Sequence, residues 1–299
     1  MLTPPNLHHS DRIAIVSTAR KVSREDMQPA IRLFRTWGLE VVEGPNLYSA
    51  SDQFAGTDDQ RLHDMQQVLD DDTVRAIVCA RGGYGTVRLI DRLDFSQFVR
   101  SPKWIVGYSD VTVLHSHIHR HFGIETLHSL MPVNFKDLCD ADPAISTLKR
   151  VLFGRGLSYL LPAEPGNRNG TGSGQLVGGN LSILYSLSGT ASDIETAGKI
   201  LFLEDVDEYL YHLDRMMMNL KRSGKLGHLA GLIVGGMTKM RDNEVPFGKT
   251  ANEIIAEAVA EYNYPVCFNF PAGHLEDNRA LILGREVTLE VGSEVRLDF

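Results

Sequence analysis

The chain has 299 residues, which is enough for one large domain or two ordinary ones. Hydrophobic residues make up 43%, but no apolar run approaches the length of a membrane span. The formal net charge is -8 and Lys and Arg are dispersed, so neither a membrane nor a nucleic acid is an expected partner. Residues 12–17, RIAIVS, read as a first strand, and 25–37 as a helix stopped by Gly38. Residues 39–42 are a second strand, 58–69 a helix, 75–79 a third strand, and 104–106 a fourth leading into a helix over about 111–121. Apolar runs alternating with helices predict an α/β fold with a parallel sheet covered on both faces.

The composition then shifts. Residues 162–175, PAEPGNRNGTGSGQ, hold Pro, Gly, Asn and Ser without an aliphatic run, and are expected to be a linker or long loop. Beyond it come a strand over 199–203, a helix over 209–221, a strand over 231–235 and a helix over 250–262, with further strands at 265–269 and 286–291. Two domains are expected, over 1–165 and 175–299. The first residues lack a basic region followed by an apolar core, so no signal peptide is expected and the default compartment is the cytoplasm. Cys79, Cys139 and Cys267 form no CxxC pair, which suggests neither a disulfide framework nor a zinc site.

The stretch WIVGYSDVTVL, residues 104–114, places Ser109 where a buried strand turns into a helix. Reactive groups of open α/β sheets lie beyond the carboxyl ends of strands. The unpartnered N–H groups and partial positive charge of a helix N-terminus stabilise an oxyanion formed there. Gly107-Tyr108-Ser109-Asp110-Val111 is therefore a nucleophile-elbow candidate, although Val111 replaces the second glycine of G-x-S-x-G. Ordinary N-capping by Ser109 or Asp110 is the plainer alternative.

A serine needs a base, and the base an orienting partner. In ILFLEDVDE, Glu204 closes a strand; in CFNFPAGHLEDN, His274 follows another. A solvated acidic loop and a turn residue are the alternatives, but the order Ser, Glu, His is that of α/β-hydrolases. The glycine-rich turn CARGGYGTVRLID, residues 79–91, fits neither dinucleotide nor P-loop spacing. It can offer the Gly83 N–H as an oxyanion donor beside the Asp110 N–H, or be a tight turn only.

RGGYG, GYSD, GGNL, LFLEDVDEYLYHLDRMMMNLKRSG and PAGH with Asn278, in this order, resemble the LD-carboxypeptidase family of serine peptidases over nearly the whole chain. The resemblance implies a catalytic triad of Ser109, Glu204 and His274, and an oxyanion hole made by the Gly83 and Asp110 N–H groups. It implies an N-terminal α/β domain carrying the nucleophile and a C-terminal domain with a β-barrel-like sheet and helices carrying Glu and His. It also implies a cytosolic enzyme, commonly dimeric, without metal or other cofactor. Ile282 stands where the family often has proline, in the expected turn after His274. Most of the family removes terminal D-alanine from murein tetrapeptides, and a smaller branch cleaves microcin C-type, aminoacyl-adenylate-like compounds. The aromatic loop expected for stacking adenine in that branch is not apparent, so the murein activity is the expectation.

Other features admit rival readings. HSHIHRH, residues 115–121, pairs His115 with His119 and His117 with His121 at helical spacing, which suits zinc, but lacks a third ligand; histidines hydrogen-bonded on a half-exposed helix are the alternative. Cys79 is a rival nucleophile or a buried structural thiol. Met216, Met217 and Met218 suit core filling, and Asp214-Arg215 packing or a dimer contact. Arg81, Arg241 and Arg279 are candidates for a substrate carboxylate because a guanidinium fits one. A catalytically silent protein that binds muropeptides or nucleotides is the reading from a different class.

Overall fold

The structure, a computed structural model, describes residues 1–136 and 138–299. In chain order come β1 (Arg12–Val16), α1 (Arg24–Thr36), β2 (Glu40–Glu43), α2 (Asp58–Asp70), β3 (Val74–Cys79), α3 (Ser96–Arg100), β4 (Trp104–Val106), α4 (Thr112–Phe122), β5 (Thr126–His128) and α5 (Pro143–Leu152). β6 (Ser158–Pro162), β7 (Gly170–Asn180), α6 (Leu181–Leu187), β8 (Ile200–Val206), α7 (Leu210–Arg222), β9 (Gly231–Thr238) and α8 (Ala251–Ala258) follow. The chain ends in β10 (Val266–Cys267), β11 (Leu281–Leu283), β12 (Glu286–Val291) and β13 (Glu294–Asp298).

The first sheet has the order β11-β5-β4-β3-β1-β2 and is parallel except for β11. Its strands are short and apolar on both faces: every residue of Ile13–Val16 and of Trp104–Val106 is buried. Such strands need cover on both sides. α1 supplies part of it by setting Met27, Ala30, Ile31 and Phe34 on one stripe, spaced by three and four residues. Its start is fixed by a capping box in which Ser23 Oγ accepts from the Asp26 N–H and Asp26 accepts from the Ser23 N–H.

The second sheet has the order β10-β9-β8-β7-β12-β13-β6, parallel from β10 to β7 and antiparallel beyond. Arg168, just before β7, exchanges two backbone hydrogen bonds with Val266 of β10 (2.9 and 3.1 Å). This part of the sheet thus curls back on itself, which gives it a barrel-like form. α7 and α8 pack together, burying Leu213, Met216, Met217 and Leu220 of α7; Met218 is exposed.

The chain crosses between the sheets more often than the sequence suggested. β11, from the last fifth of the chain, pairs with β5 in the first sheet. Ile282 belongs to that strand opposite Leu127 and not to the turn after His274. The expected linker at 162–175 is also corrected, because β6 ends at its start and β7 begins inside it at Gly170. The glycines there serve close backbone approach: a Cβ on Gly172 would stand 1.9 Å from the Ala230 carbonyl oxygen, and one on Gly174 2.4 Å from that of Gly198. No helix among the described residues is long and apolar enough to cross a membrane.

Candidate active site

Ser109 follows β4 and opens a 3₁₀ turn, Ser109–Val111, that runs into α4. Its φ is +63°, a left-handed conformation costly for a residue with a Cβ. The strain turns Ser109 toward a cleft of about 580 Å³ beyond the carboxyl ends of the strands. Gly82 approaches so closely that a Cβ there would lie 2.9 Å from Ser109 Cβ and 3.0 Å from Oγ. The backbone N–H groups of Gly83 and Asp110 have no hydrogen-bond partner among the described residues. Gly83 lines the same cleft as Ser109, and Asp110 follows Ser109 in the same turn.

The elbow is braced from below. His115 Nε2–H, one helical turn or more along α4, donates to the Gly107 carbonyl (2.9 Å). The Asp110 carboxyl is buried and accepts from the Thr86 N–H (2.8 Å), which ties the elbow to the loop after Gly83. Burial holds its pKa above the ordinary carboxylate range against that hydrogen bond.

Glu204 arrives from β8 and is fully buried. The β8–β9 register shifts between Leu203 and Asp205, and such a bulge re-aims the side chains at it. Glu204 Oε2 accepts from the His274 backbone N–H (3.0 Å) and from Nδ1–H of its ring (2.6 Å). Two bonds from one residue to one oxygen fix both the loop and the imidazole. The Gly273 N–H donates to Asn278 Oδ1 (2.8 Å), and Thr238 Oγ1 donates to the His274 carbonyl (3.0 Å). Gly273, at φ +105°, is required here: a Cβ would stand 2.6 Å from Glu204 Cβ.

With Nδ1 carrying the proton, Nε2 of His274 is left as the acceptor. Burial alone would lower the imidazole pKa, but the Glu204 hydrogen bond and the charges of Glu204 and Asp205 outweigh it and raise the pKa above its ordinary value. The ring also packs beside Tyr108, centroids 4.9 Å apart. Ser109 and His274 line the same cleft, without a hydrogen bond between them among the described residues.

Asp205 is the neighbour that sequence reasoning missed. A solvated acidic loop was only the alternative reading of Glu204, and no role was given to Asp205, which is 1% exposed. Its oxygens accept from Asn180 Nδ2 (3.0 Å), the Ser182 N–H (2.9 Å) and the Val206 N–H (2.9 Å). Burial, then repulsion from Glu204, pushes its pKa up to about 7. Asn180 also donates its N–H to Thr112 Oγ1 at the start of α4 (3.1 Å), joining the second sheet to the elbow. The GGNL motif carried that signal, although its partner residue was not legible.

The remaining candidates separate clearly. Cys79 is fully buried, and burial pushes its thiol up to about 12, which makes it a poor nucleophile. The histidine helix is more buried than expected, with His115 and His119 only 0% and 8% exposed. His117 bonds Ser192, His119 bonds Thr126 and His121 bonds the Ala191 carbonyl. No group of three His, Cys, Asp or Glu suited to a metal occurs among the described residues. Arg241 is paired with Asp207 and Arg279 with Asp277, whereas Arg81 lines the cleft. A larger hollow of about 730 Å³ runs along α1, and no serine, cysteine or histidine is among its described lining residues.

A serine at a strand-to-helix turn and an imidazole bonded to a buried carboxylate meet at one cleft, the makeup that a hydrolytic site needs. The chain belongs to the LD-carboxypeptidase family: the family's N-terminal domain matches residues 13–129 and its C-terminal domain residues 173–289. It is 32% identical over 298 residues to a probable murein peptide carboxypeptidase of Bacillus subtilis, covering 97% of this chain and 92% of that one. Its fold superposes on a muramoyltetrapeptide carboxypeptidase from Oxalobacter formigenes with a TM-score of 0.87 at 27% identity, covering 96% and 98% of the two chains. It also superposes on the microcin C7 self-immunity protein MccF in complex with aspartyl sulfamoyl adenosine, with a TM-score of 0.88 at 19% identity over 99% and 97%. At that identity the likeness shows the fold alone.

Proposed function

We propose that this protein is a serine carboxypeptidase that hydrolyses the L,D-peptide bond before the terminal D-alanine of murein tetrapeptides, through Ser109, His274 and Glu204. One observation carries the reading: Ser109, held at φ +63°, shares a cleft with an imidazole whose Nδ1–H is fixed on a fully buried carboxylate. His274 Nε2 takes the proton from Ser109 Oγ as the oxygen attacks the carbonyl of the L-centre. Glu204 holds the ring and stabilises the imidazolium. The Gly83 and Asp110 N–H groups receive the oxyanion. His274 then protonates the leaving nitrogen, D-alanine departs, and water releases the acyl group by the same steps in reverse order. No metal or other cofactor is required by this scheme.

Cytosolic, recycled wall fragments are the proposed source of substrate, and a homodimer the proposed assembly. For a microcin-type substrate the cleft would need an aromatic face for a purine. Besides the His274 imidazole, Tyr108 is its aromatic lining residue, and Tyr108 is buried, 7% exposed, against His274 and His128. That favours a peptide substrate. Mass spectrometry of a murein tetrapeptide incubated with the protein tests the proposal: D-alanine is released, whereas preferred cleavage of an aminoacyl sulfamoyl adenosine would move the protein to the other branch.

A further inference from the structure

We propose that Arg81 and Arg20 form a carboxylate-binding subsite beside Ser109; the inference rests on the carboxypeptidase reading above. Arg81 is half-buried and directly precedes Gly82, the residue whose backbone lies against Ser109. Arg20 comes from the loop after β1 and lays its stem on Gly83, with Cγ and Cδ 2.6 and 2.5 Å from where a Cβ of residue 83 would stand. Both side chains line the Ser109 cleft, and both line a smaller adjoining hollow of about 300 Å³. They therefore stand at the junction of the two spaces, next to the reacting serine.

Neither guanidinium makes an ion pair or a side-chain hydrogen bond among the described residues. The protein's other site-proximal or buried arginines are engaged: Arg61 and Arg88 with Asp58, Arg241 with Asp207, Arg285 with Glu125. Asp205 is the carboxylate within the cleft lining, and its oxygens are already occupied by Asn180, Ser182 and Val206. Lys239 adds another positive charge on the wall contributed by β9 and the residue after it. A chain of net charge -8 thus leaves a cationic surplus facing its nucleophile. Planar guanidinium groups bind carboxylates with two parallel hydrogen bonds, better than they bind a neutral amide. A subsite of this kind would make the cleft select a chain end, because an extended peptide would leave a guanidinium desolvated and unpaired.

A murein tetrapeptide offers two such groups near the cut: the terminal carboxylate of the D-residue, and the side-chain carboxylate of a diaminopimelate. Three peptides separate them, namely the free-acid diaminopimelate tetrapeptide, its terminal amide, and the lysine-containing tetrapeptide. Arg81→Met is expected to lower kcat/KM for the free acid on the order of 100-fold, mainly through KM. Arg20→Met, more exposed, gives a smaller loss in the same direction. If the loss disappears with the amide, the terminal carboxylate is the ligand; if it disappears with the lysine peptide, the side-chain carboxylate is. Both variants keep the wild-type melting temperature and are still labelled on Ser109 by a carboxylate-free fluorophosphonate, which a disrupted fold would not allow. Equal losses on all three peptides, or none, overturn the subsite. Should the wild-type protein release no D-alanine at all, the carboxypeptidase reading fails by itself. Calorimetric titration of Ser109→Ala with the same peptides then decides the subsite: binding of the free acid that Arg81→Met abolishes sustains it, and binding insensitive to Arg81→Met contradicts it.

Discussion

Replacing Glu204 by glutamine changes one atom pair in the buried heart of the site, and its consequences can be worked out from the geometry. The carboxylate now accepts two hydrogen bonds on Oε2, from the His274 backbone and from Nδ1–H, and it is 0% exposed. A glutamine can keep its oxygen on one donor, but its charge is gone. Breaking a buried charge pair by neutralising one member costs roughly 2–5 kcal/mol. Every 1.36 kcal/mol is tenfold in rate, so kcat should fall by roughly 30- to 5,000-fold from the lost imidazolium stabilisation alone. If the amide nitrogen turns toward Nδ1, the ring takes the wrong tautomer and the loss approaches the ~10⁴ typical of triads. The pH profile supplies an independent reading. Glu204 is what raises the His274 pKa against burial. With the charge removed, burial prevails over the more distant Asp205, and the imidazole loses its proton at lower pH. The acid limb of kcat/KM in Glu204→Gln should therefore shift to lower pH while its plateau drops. Initial rates of D-alanine release between pH 5 and 9, measured for both proteins, would show this. A variant with wild-type turnover and an unmoved limb would refute the triad geometry.

Gly273→Ala should both destabilise the fold and lower kcat, since the methyl group meets Glu204 and φ is +105°; thermal melts and turnover together check it, and a wild-type kcat would show that the loop is not constrained. Acid should destabilise the protein between pH 6.5 and 4: burial holds His115 and His117 near 4 and His119 and His128 well below 6.5, so the unfolded chain binds more protons there. His274, Asp205 and Asp110 work in the opposite sense, because a folded-state pKa above the unfolded one adds stability as pH falls through it; the four buried imidazoles outnumber these three groups, so urea midpoints should still fall with acid, and a flat profile would contradict the burial. Iodoacetamide should spare Cys79 in the native protein and leave activity intact, with modification read by mass spectrometry. EDTA should leave D-alanine release unchanged, and loss restored by zinc would redirect attention to the His115–His121 helix.

What the sequence disclosed follows from which signals are local. Strands such as 12–17 and 104–106 are short apolar runs next to helices with clear periodicity, and these appear within a residue or two of the expected positions. Ser109 and His274 were picked out as residues that follow strands, and both line one cleft; Glu204 lies inside β8, fully buried, and meets the ring of His274 there. The strand at Gly170–Asn180 was not legible, because its glycines serve contacts with Ala230 and Gly198, far away in sequence. β11 likewise gave no signal that it would join the first sheet, since pairing with β5 depends on the path of the whole chain. Asp205 drew no role because a run of acids carries no mark of the Asn180 and Ser182 donors that meet it. Arg20 bore no motif, and only its packing on Gly83 places it in the cleft.

The central claim is that Ser109 is the nucleophile of a D-alanine-releasing carboxypeptidase. The most direct measurement incubates a murein tetrapeptide with wild-type and Ser109→Ala protein and follows D-alanine and the tripeptide by mass spectrometry. The wild type is expected to release D-alanine, and Ser109→Ala to show a kcat lower by roughly 10⁴ or more with its melting temperature retained. Undiminished release by Ser109→Ala would contradict the claim.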